Sequence, residues 1–427
     1  MMRILRMGSI GPAVALLQLA LNRKGSSAGL AQDGIFGPAT EAALRRFQQE
    51  RGLNPDGVAG RETHRALTPW YTGYLVHTIR RGDTLWALAE RYATSLEAIR
   101  LANPGVREEH LEIGAGLVVP LGFAVVPDCV PFFSNLTGYC VRGLAARYPF
   151  LFTGEIGRSV LGRPLWSLRL GVGENRVLYH AGIHANEWIT TPLLLRFCEE
   201  LAKAFASGGT ILDRSAAEIL DYAVITLIPQ VNPDGADLVT GELQQGESYR
   251  QALRIAEDYP RYPFPDGWKA NLRGTDLNLQ FPAGWEAARK IKAEQGIVSP
   301  APADYVGPAP LSAPESRALY DYTFALQPRL TLSYHTQGKE IYWRYGDQEP
   351  PRSREIGELF ARLSGYTLAD PAAGSSYAGY KDWFIDSLCR PGYTIEAGQG
   401  TNPLPLADLD EMYRENLPIL VYGALVT

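Results

Sequence analysis

NRVLYHAGIHANEWITTPLLLRFCEEL, residues 175–201, passes from an apolar stretch through a turn bearing His184 and Glu187 into a long amphipathic segment. "NRVLYHAGI" has the length and apolar density of a strand buried on both faces, and the segment from Thr190 onward that of a helix lying on a sheet. In folds that alternate strand and helix, functional side chains sit in such turns, beyond the strand ends. An imidazole and a carboxylate three residues apart can aim at one point. The turn therefore either holds a metal or simply ends a strand.

Zinc needs a third protein ligand. The chain has six histidines. His64, His77 and His110 lie in the N-terminal modules, with surface or capping roles expected for His77 and His110, and strand alternation points His180 away as a packed strand-end residue. His335 remains, in "LTLSYHTQG", again at the end of an apolar strand. Two histidines and one glutamate with an open fourth position is the pattern of a hydrolytic zinc. Glu396, in "PGYTIEAGQG", ends a further apolar strand and is the candidate proton carrier. A structural salt bridge is the rival reading for a charge placed there.

Outward from this segment, 427 residues are too many for one ordinary core and suggest two or three domains. Apolar content of 46% with 20% charged residues is that of a globular chain. A net charge of −5 offers no basic footprint for nucleic acid or an anionic membrane, and no stretch approaches the roughly 20 apolar residues of a membrane span. Cys129, Cys140, Cys198 and Cys389 form no CxxC pair, so neither a zinc ribbon nor a disulfide framework is expected; a Cys129–Cys140 bridge stays open. The N-terminal "MMRILRMGSIGPAVALLQLALNRKG" has the outline of a signal peptide, but Gly11, Pro12 and Gln18 interrupt the apolar run. An amphipathic helix with Val14, Leu17 and Leu21 on one face is the preferred reading. With no export signal recognised, the expected location is the cytoplasm or mother cell, or the wall.

The first 70 residues contain an echo. "DGIFGPAT" begins at Asp33 and "DGVAGRET" at Asp56, each a tight Asp-Gly turn before a helix that the threonine or a nearby acid is expected to open. With "EAALRRFQQERGL" between them, a small three-helix unit follows. The pattern closely resembles the type 1 peptidoglycan-binding domain. Beyond the linker "TPWYTGY", residues 74–121 read strand, helix, helix, strand, with Thr84 and Ser95 as helix caps and Asn103-Pro104-Gly105 as a stop. "RRGDTLWALAERY" and "LANP" resemble a LysM module, a family that recognises N-acetylglucosamine-containing glycans. From 125 to 427, the buried-strand segments "RVLYHAGI", "YAVITLIPQV", "LTLSYHT" and "GYTIEAG" alternate with helical ones. The fold class is thus multidomain: a three-helix domain (1–70), a βααβ LysM module (74–121) and an α/β/α domain with a mixed central sheet (125–427).

"HAGIHANEWIT", "PQVNPDG", "GTDLNLQFP", "SYHTQG" and "TIEAG" together resemble the M14 zinc carboxypeptidases in order and spacing. The resemblance implies one zinc ion on His184, Glu187 and His335, with Glu396 as general base and acid. It implies an oxyanion cation in "WKANLRGTDLN", at Lys269 or at nearby Arg273, the two left unranked. It places the family's flexible tyrosine in "SSYAGYKDW", at Tyr377 or Tyr380. Two arginines that hold a terminal carboxylate in ordinary members are here Asn186 and Leu279, so a bidentate clamp is lost. Asn278 is retained for substrate binding, and Arg344 is a further possible charge. Asn232 and Asp234 in "VNPDG" form a turn that lies beside the active site in that family.

These forms resemble the bacterial γ-D-glutamyl-L-diamino acid peptidases, with fold, zinc and peptidoglycan stem peptides as the implied partners. The resemblance implies hydrolysis of the γ-D-glutamyl–meso-diaminopimelate bond, aided by glycan-binding modules and, by the kinship of those enzymes, a sporulation context. A D,L- or L,D-carboxypeptidase on the same stems, or a non-catalytic wall-binding protein, are the alternatives.

Overall fold

The computed structural model describes residues 3–25, 29–370 and 377–426. It divides into two compact units, 1–130 with 135–152 and 131–134 with 153–427.

The first unit opens with helices α1 (Pro12–Lys24), α2 (Pro38–Glu50) and α3 (Arg61–Thr72). The sequence echo is a duplicated hydrogen-bond device. Gln18 Nε2 donates to Asp33 Oδ1 (2.8 Å) and to Thr40 Oγ1 (3.1 Å), while its Oε1 accepts from Gly34 N. Gln48 repeats this with Asp56 (2.9 Å), Thr63 (3.3 Å) and Gly57 N. Both glutamines are buried, so each amide must be satisfied on both ends. Thr40 and Thr63 therefore do not cap α2 and α3; Gly37 and Gly60 stand at the N-caps, the hydroxyls face inward to the glutamines, and the nearby acids Glu41 and Glu62 occupy the first turns.

Asp56 is held below its ordinary pKa of 3.8 by the Val58 amide, then by Gln48 and Arg45. A depressed folded pKa contributes stability above the unfolded value, and that contribution is lost as pH falls through the folded one. We expect Asp56→Asn to lower the urea midpoint of α2 and α3, read on their amide signals, at pH 7. At pH 3 the gap to the parent chain should narrow; a gap unchanged between the two would sink the charge argument.

Strand β1 (Tyr74–Thr78), helices α4 (Leu85–Tyr92) and α5 (Leu96–Ala102) and strand β2 (Gly116–Pro120) follow, with β1 and β2 antiparallel. Thr84 and Ser95 cap α4 and α5 by accepting from Ala87 N and Ala98 N. His77 is not at the surface: it is buried, bonded to Asp83 (2.7 Å) and Tyr92 (2.9 Å), and ties β1 to the Gly-Asp turn and α4. His64 is likewise buried against Tyr71 OH and Arg3 O. Helix α6 (Ser134–Arg147) belongs mostly to this unit, through Arg147 bonds to the carbonyls of Leu121 and Phe123. All four cysteines are free thiols, so Cys129 and Cys140 are not bridged. Among the described residues no helix is long and apolar enough to cross a membrane.

The second unit begins with β3 (Phe152–Arg158), β4 (Pro164–Leu170), β5 (Asn175–His180) and α7 (Thr190–Ala206). A short hairpin, β6 (Thr210–Ile211) and β7 (Arg214–Ser215), leads to α8 (Ala216–Tyr222) and β8 (Ala223–Ile228). Next come α9 (Pro233–Val239), α10 (Glu247–Glu257), α11 (Trp285–Glu294), α12 (Pro314–Leu326), β9 (Leu330–His335) and β10 (Glu340–Tyr342). The chain ends with α13 (Ser353–Ser364), β11 (Thr367–Ala369), α14 (Tyr380–Leu388), β12 (Gly392–Glu396) and α15 (Leu409–Gly423).

Eight strands form one mixed sheet in the order β11-β10-β12-β9-β5-β8-β4-β3. Its centre, β12-β9-β5-β8, is all parallel. These are the four strands legible in the sequence, and they are almost wholly buried because helices cover both faces. On one face Leu178, Phe281, Tyr380, Trp383 and Phe384 pack together. On the other, Tyr179 OH and Asn175 bond to carbonyls of the C-terminal segment, at Leu420 and Ala424.

Candidate metal centre

Parallel strands put their carboxyl ends on one side, so β5, β8, β9 and β12 deliver His184, Asn232, His335 and Glu396 to one rim of the sheet. Past β5 the chain makes a short 3-10 turn over Ala185–Glu187 before α7 starts. Helix α9 supports that turn. Asn232 caps α9 by accepting from Gly235 N and donates to Ala270 O, and a Cβ on Gly235 would come within 2.7 Å of Ala185 Cβ. Asp234 and Asp237 are fully buried and both pair with Arg163 at 2.7 Å. "VNPDG" thus buttresses the site without lining it.

His184 Nδ1 lies 2.9 Å from Glu187 Oε1, His335 Nδ1 3.0 Å from Glu187 Oε2, and the two imidazole nitrogens 3.2 Å apart. Tetrahedral zinc with bonds of roughly 2.0–2.1 Å holds its ligands about 3.3 Å apart. Each imidazole meets a different oxygen of Glu187 at close to that spacing, and one donor atom from each of the three residues lies within 4.8 Å of the others. All three side chains are buried, and two imidazoles with a carboxylate are the donor types that a hydrolytic zinc takes. The residues fit a single divalent ion.

A surrounding charge network fixes the ligands. His184 Nε2 faces Asp276 Oδ1 at 3.2 Å, and Asp276 Oδ2 accepts from Asp304 N at 3.1 Å. A carboxylate behind a ligating histidine sets its tautomer and orientation. Burial opposes a charge on His184, but Glu187 and Asp276 outweigh it and lift its pKa to about 10 without the ion. Burial likewise opposes the Asp276 carboxylate, yet His184 and Lys269 bring it down to about 2. Asp276 was present in the quoted "GTDLNLQFP", but nothing in the sequence ties it to a histidine 92 positions away.

Glu396 ends β12 half-buried, with its Cα in register opposite His335. Burial pushes its carboxyl above the ordinary range; His335 and Lys269 oppose this and Glu187 adds to it. Lys269 Nζ reaches Glu187 Oε1 at 3.3 Å and lines the adjoining cavity. Arg273 is exposed and does not line it.

The cavity, 370 Å³ in volume, opens beside His184. Asn186, Asn278, Leu279 and Tyr377 line it, and no arginine does among the described residues. Asn186 Nδ2 donates to Asp266 O, while its buried Oδ1 has no partner among the described residues. Tyr377 lies over Gly284, whose φ of +66° and missing Cβ make room for the ring. Tyr380 is fully buried, its hydroxyl between Thr323 and Thr331 and its ring edge-on to His180 at 4.3 Å. It belongs to the core, away from the cavity. Ser375 and Ser376 of the same motif lie outside the described residues. Arg344 pairs with Asp370 and does not reach the cavity.

The zinc carboxypeptidase family model matches residues 139–418, the peptidoglycan binding domain residues 10–67 and the LysM domain residues 77–120. γ-D-Glutamyl-L-diamino acid endopeptidase 1 of Lysinibacillus sphaericus is 42% identical over 283 residues, covering 66% of this chain and 69% of that protein. An uncharacterised Bacillus subtilis protein is 39% identical over 277 residues, covering 64% and 72%. Bovine thrombin-activatable fibrinolysis inhibitor superposes with a TM-score of 0.51 at 21% identity, over 69% of this chain and 95% of that one, a likeness of fold.

Proposed function

This chain belongs to the zinc carboxypeptidase family, and we propose that its substrate is the γ-D-glutamyl–meso-diaminopimelate bond of peptidoglycan stem peptides. It is a zinc metallopeptidase carrying wall-binding modules. The observation that carries the finer reading is the cavity without arginine. Asn186 and Leu279 line it where a guanidinium fork would hold a C-terminal carboxylate. The similarity to an endopeptidase named for γ-D-glutamyl-L-diamino acids supports the same reading.

His184, Glu187 and His335 would hold the ion. When bound, zinc supplies Lewis acidity that polarises a carbonyl and acidifies water. Glu396 takes the proton from the attacking water as the new C–O bond forms, then delivers it to the amine as the C–N bond breaks. Lys269, which lines the cavity, sets its ammonium against the oxyanion that develops on the carbonyl oxygen; Arg273, outside that lining, takes no part. Asn186, Asn278, Leu279 and Tyr377 contact the peptide. The N-terminal modules, with boundaries near 1–70 and 74–121 and the peptidase from 125 to 427, hold the enzyme on glycan and raise the local concentration of stems. The place of action is the cell wall.

Mass analysis of digested muropeptides tests this. The expected products are a glycan ending in D-glutamate and a peptide beginning with diaminopimelate. Loss of a single terminal residue, D-alanine from tetrapeptide stems or diaminopimelate from tripeptide stems alone, would establish the carboxypeptidase alternative, and no release at all the non-catalytic one.

A further inference from the structure

Helix α11 rests on an apolar base, with Trp285 and Ala288 packed against Val306 and Ala378. Its next turn brings Ala288, Ile291 and Lys292 to one face, as spacings of three and four require, and these three line the cavity beside His184. Across from them, Asp304 also lines it, and Lys292 Nζ stands 2.5 Å from Asp304 Oδ1. Tyr262 OH donates to Asp304 Oδ2 at 2.7 Å.

Two features separate this pair from an ordinary surface bridge. Asp304 has φ of +70°, a left-handed backbone that side chains seldom adopt and that tends to be kept where function needs it. Its amide is bonded to Asp276, the carboxylate behind His184, so the pair stands two hydrogen bonds from a metal ligand. Like a surface bridge, though, both side chains are partly exposed, 20% for Lys292 and 32% for Asp304. A partly exposed pair is weakly held and can trade its mutual contact for a ligand's charges.

We infer that Lys292 and Asp304, with Tyr262, form the subsite for a zwitterion at the end of a substrate side chain. The ammonium of Lys292 takes its carboxylate and the Asp304 carboxylate its amine. Under the proposed function, on which this inference rests, that group is the distal amino-acid centre of meso-diaminopimelate, with its methylene chain along Leu279 and Ile291. Lysine at the same position offers only the amine. Amidated diaminopimelate has lost the negative charge.

Three tripeptides test this on the zinc-loaded full chain: L-Ala-γ-D-Glu followed by meso-diaminopimelate, by its distal carboxamide, or by L-Lys. The free acid should give a kcat/KM at least about tenfold above the other two, as loss of a charged partner at a site built to take it does. Lys292→Met should bring the acid-to-amide ratio near one, and Lys292→Arg should restore it. Affinities for the same peptides, measured by calorimetry on Glu396→Gln and on Glu396→Gln/Lys292→Met, read recognition without turnover. Should the chain cut none of the peptides, the proposed bond is wrong, and the calorimetric ratio still decides the subsite. A ratio of one in the parent chain, or one that Lys292→Met leaves unchanged, overturns the inference. If Lys292→Met fails to fold, the parent ratio alone decides between them.

Discussion

Glu396→Gln is expected to lower kcat on muropeptides about 10²–10⁴-fold, the range that a positioned acid–base group supplies, while zinc content and unfolding temperature stay at the parent values. Glu396 closes β12, one strand from His335, and under the proposed function it serves both the attacking water and the leaving amine. Glutamine keeps the shape and cannot carry the proton. Since Glu396 is set apart from the ligand triad, its loss leaves the ion's donors in place. Metal analysis beside the kinetics makes the test specific. A variant that keeps its zinc and its rate would assign the proton transfer to another group.

Glu187→Ala should have the second large effect, on the metal and on the fold together. Glu187 is 1% exposed and faces His184, His335 and Lys269. Removing one partner of a buried charge cluster typically costs about 3–5 kcal/mol, because the others are left uncompensated. The variant should retain no stoichiometric zinc on dialysis, lose measurable activity, and unfold at lower denaturant than the parent even when both have been treated with chelator. That last comparison separates the charge cluster from the metal. Equal midpoints after chelation would mean the cluster adds nothing without the ion.

Much of this was readable in the chain. Residues 175–201 specified a buried strand, a ligand-bearing turn and a helix, because alternation and three-to-four spacing act between near neighbours. The caps at Thr84 and Ser95 were legible for the same reason: a hydroxyl reaches an amide three residues on. The misreadings lie where a local rule met a tertiary partner. Thr40 and Thr63 have the sequence setting of caps, but buried glutamines 22 and 15 residues away take their hydroxyls. His77 has the sequence setting of a surface or capping residue, but Asp83 and Tyr92 enclose it. Tyr377 and Tyr380 sit three apart in one motif, and only the packing of Phe281 and Trp383 around Tyr380, with Gly284 beneath Tyr377, tells them apart.

By itself the sequence determined which side chains could bind an ion or carry a proton and which segments form the four central strands, and its resemblances pointed to wall-glycan modules before them. These depend on residue chemistry and on contacts a few positions long. Only the tertiary structure decided that β12 lies beside β9, that Asp276 stands behind His184, and that Lys292 meets Asp304 in the same cavity. Such pairings are selected by how the whole sheet buries its faces, a global balance that leaves no mark in any short stretch of chain.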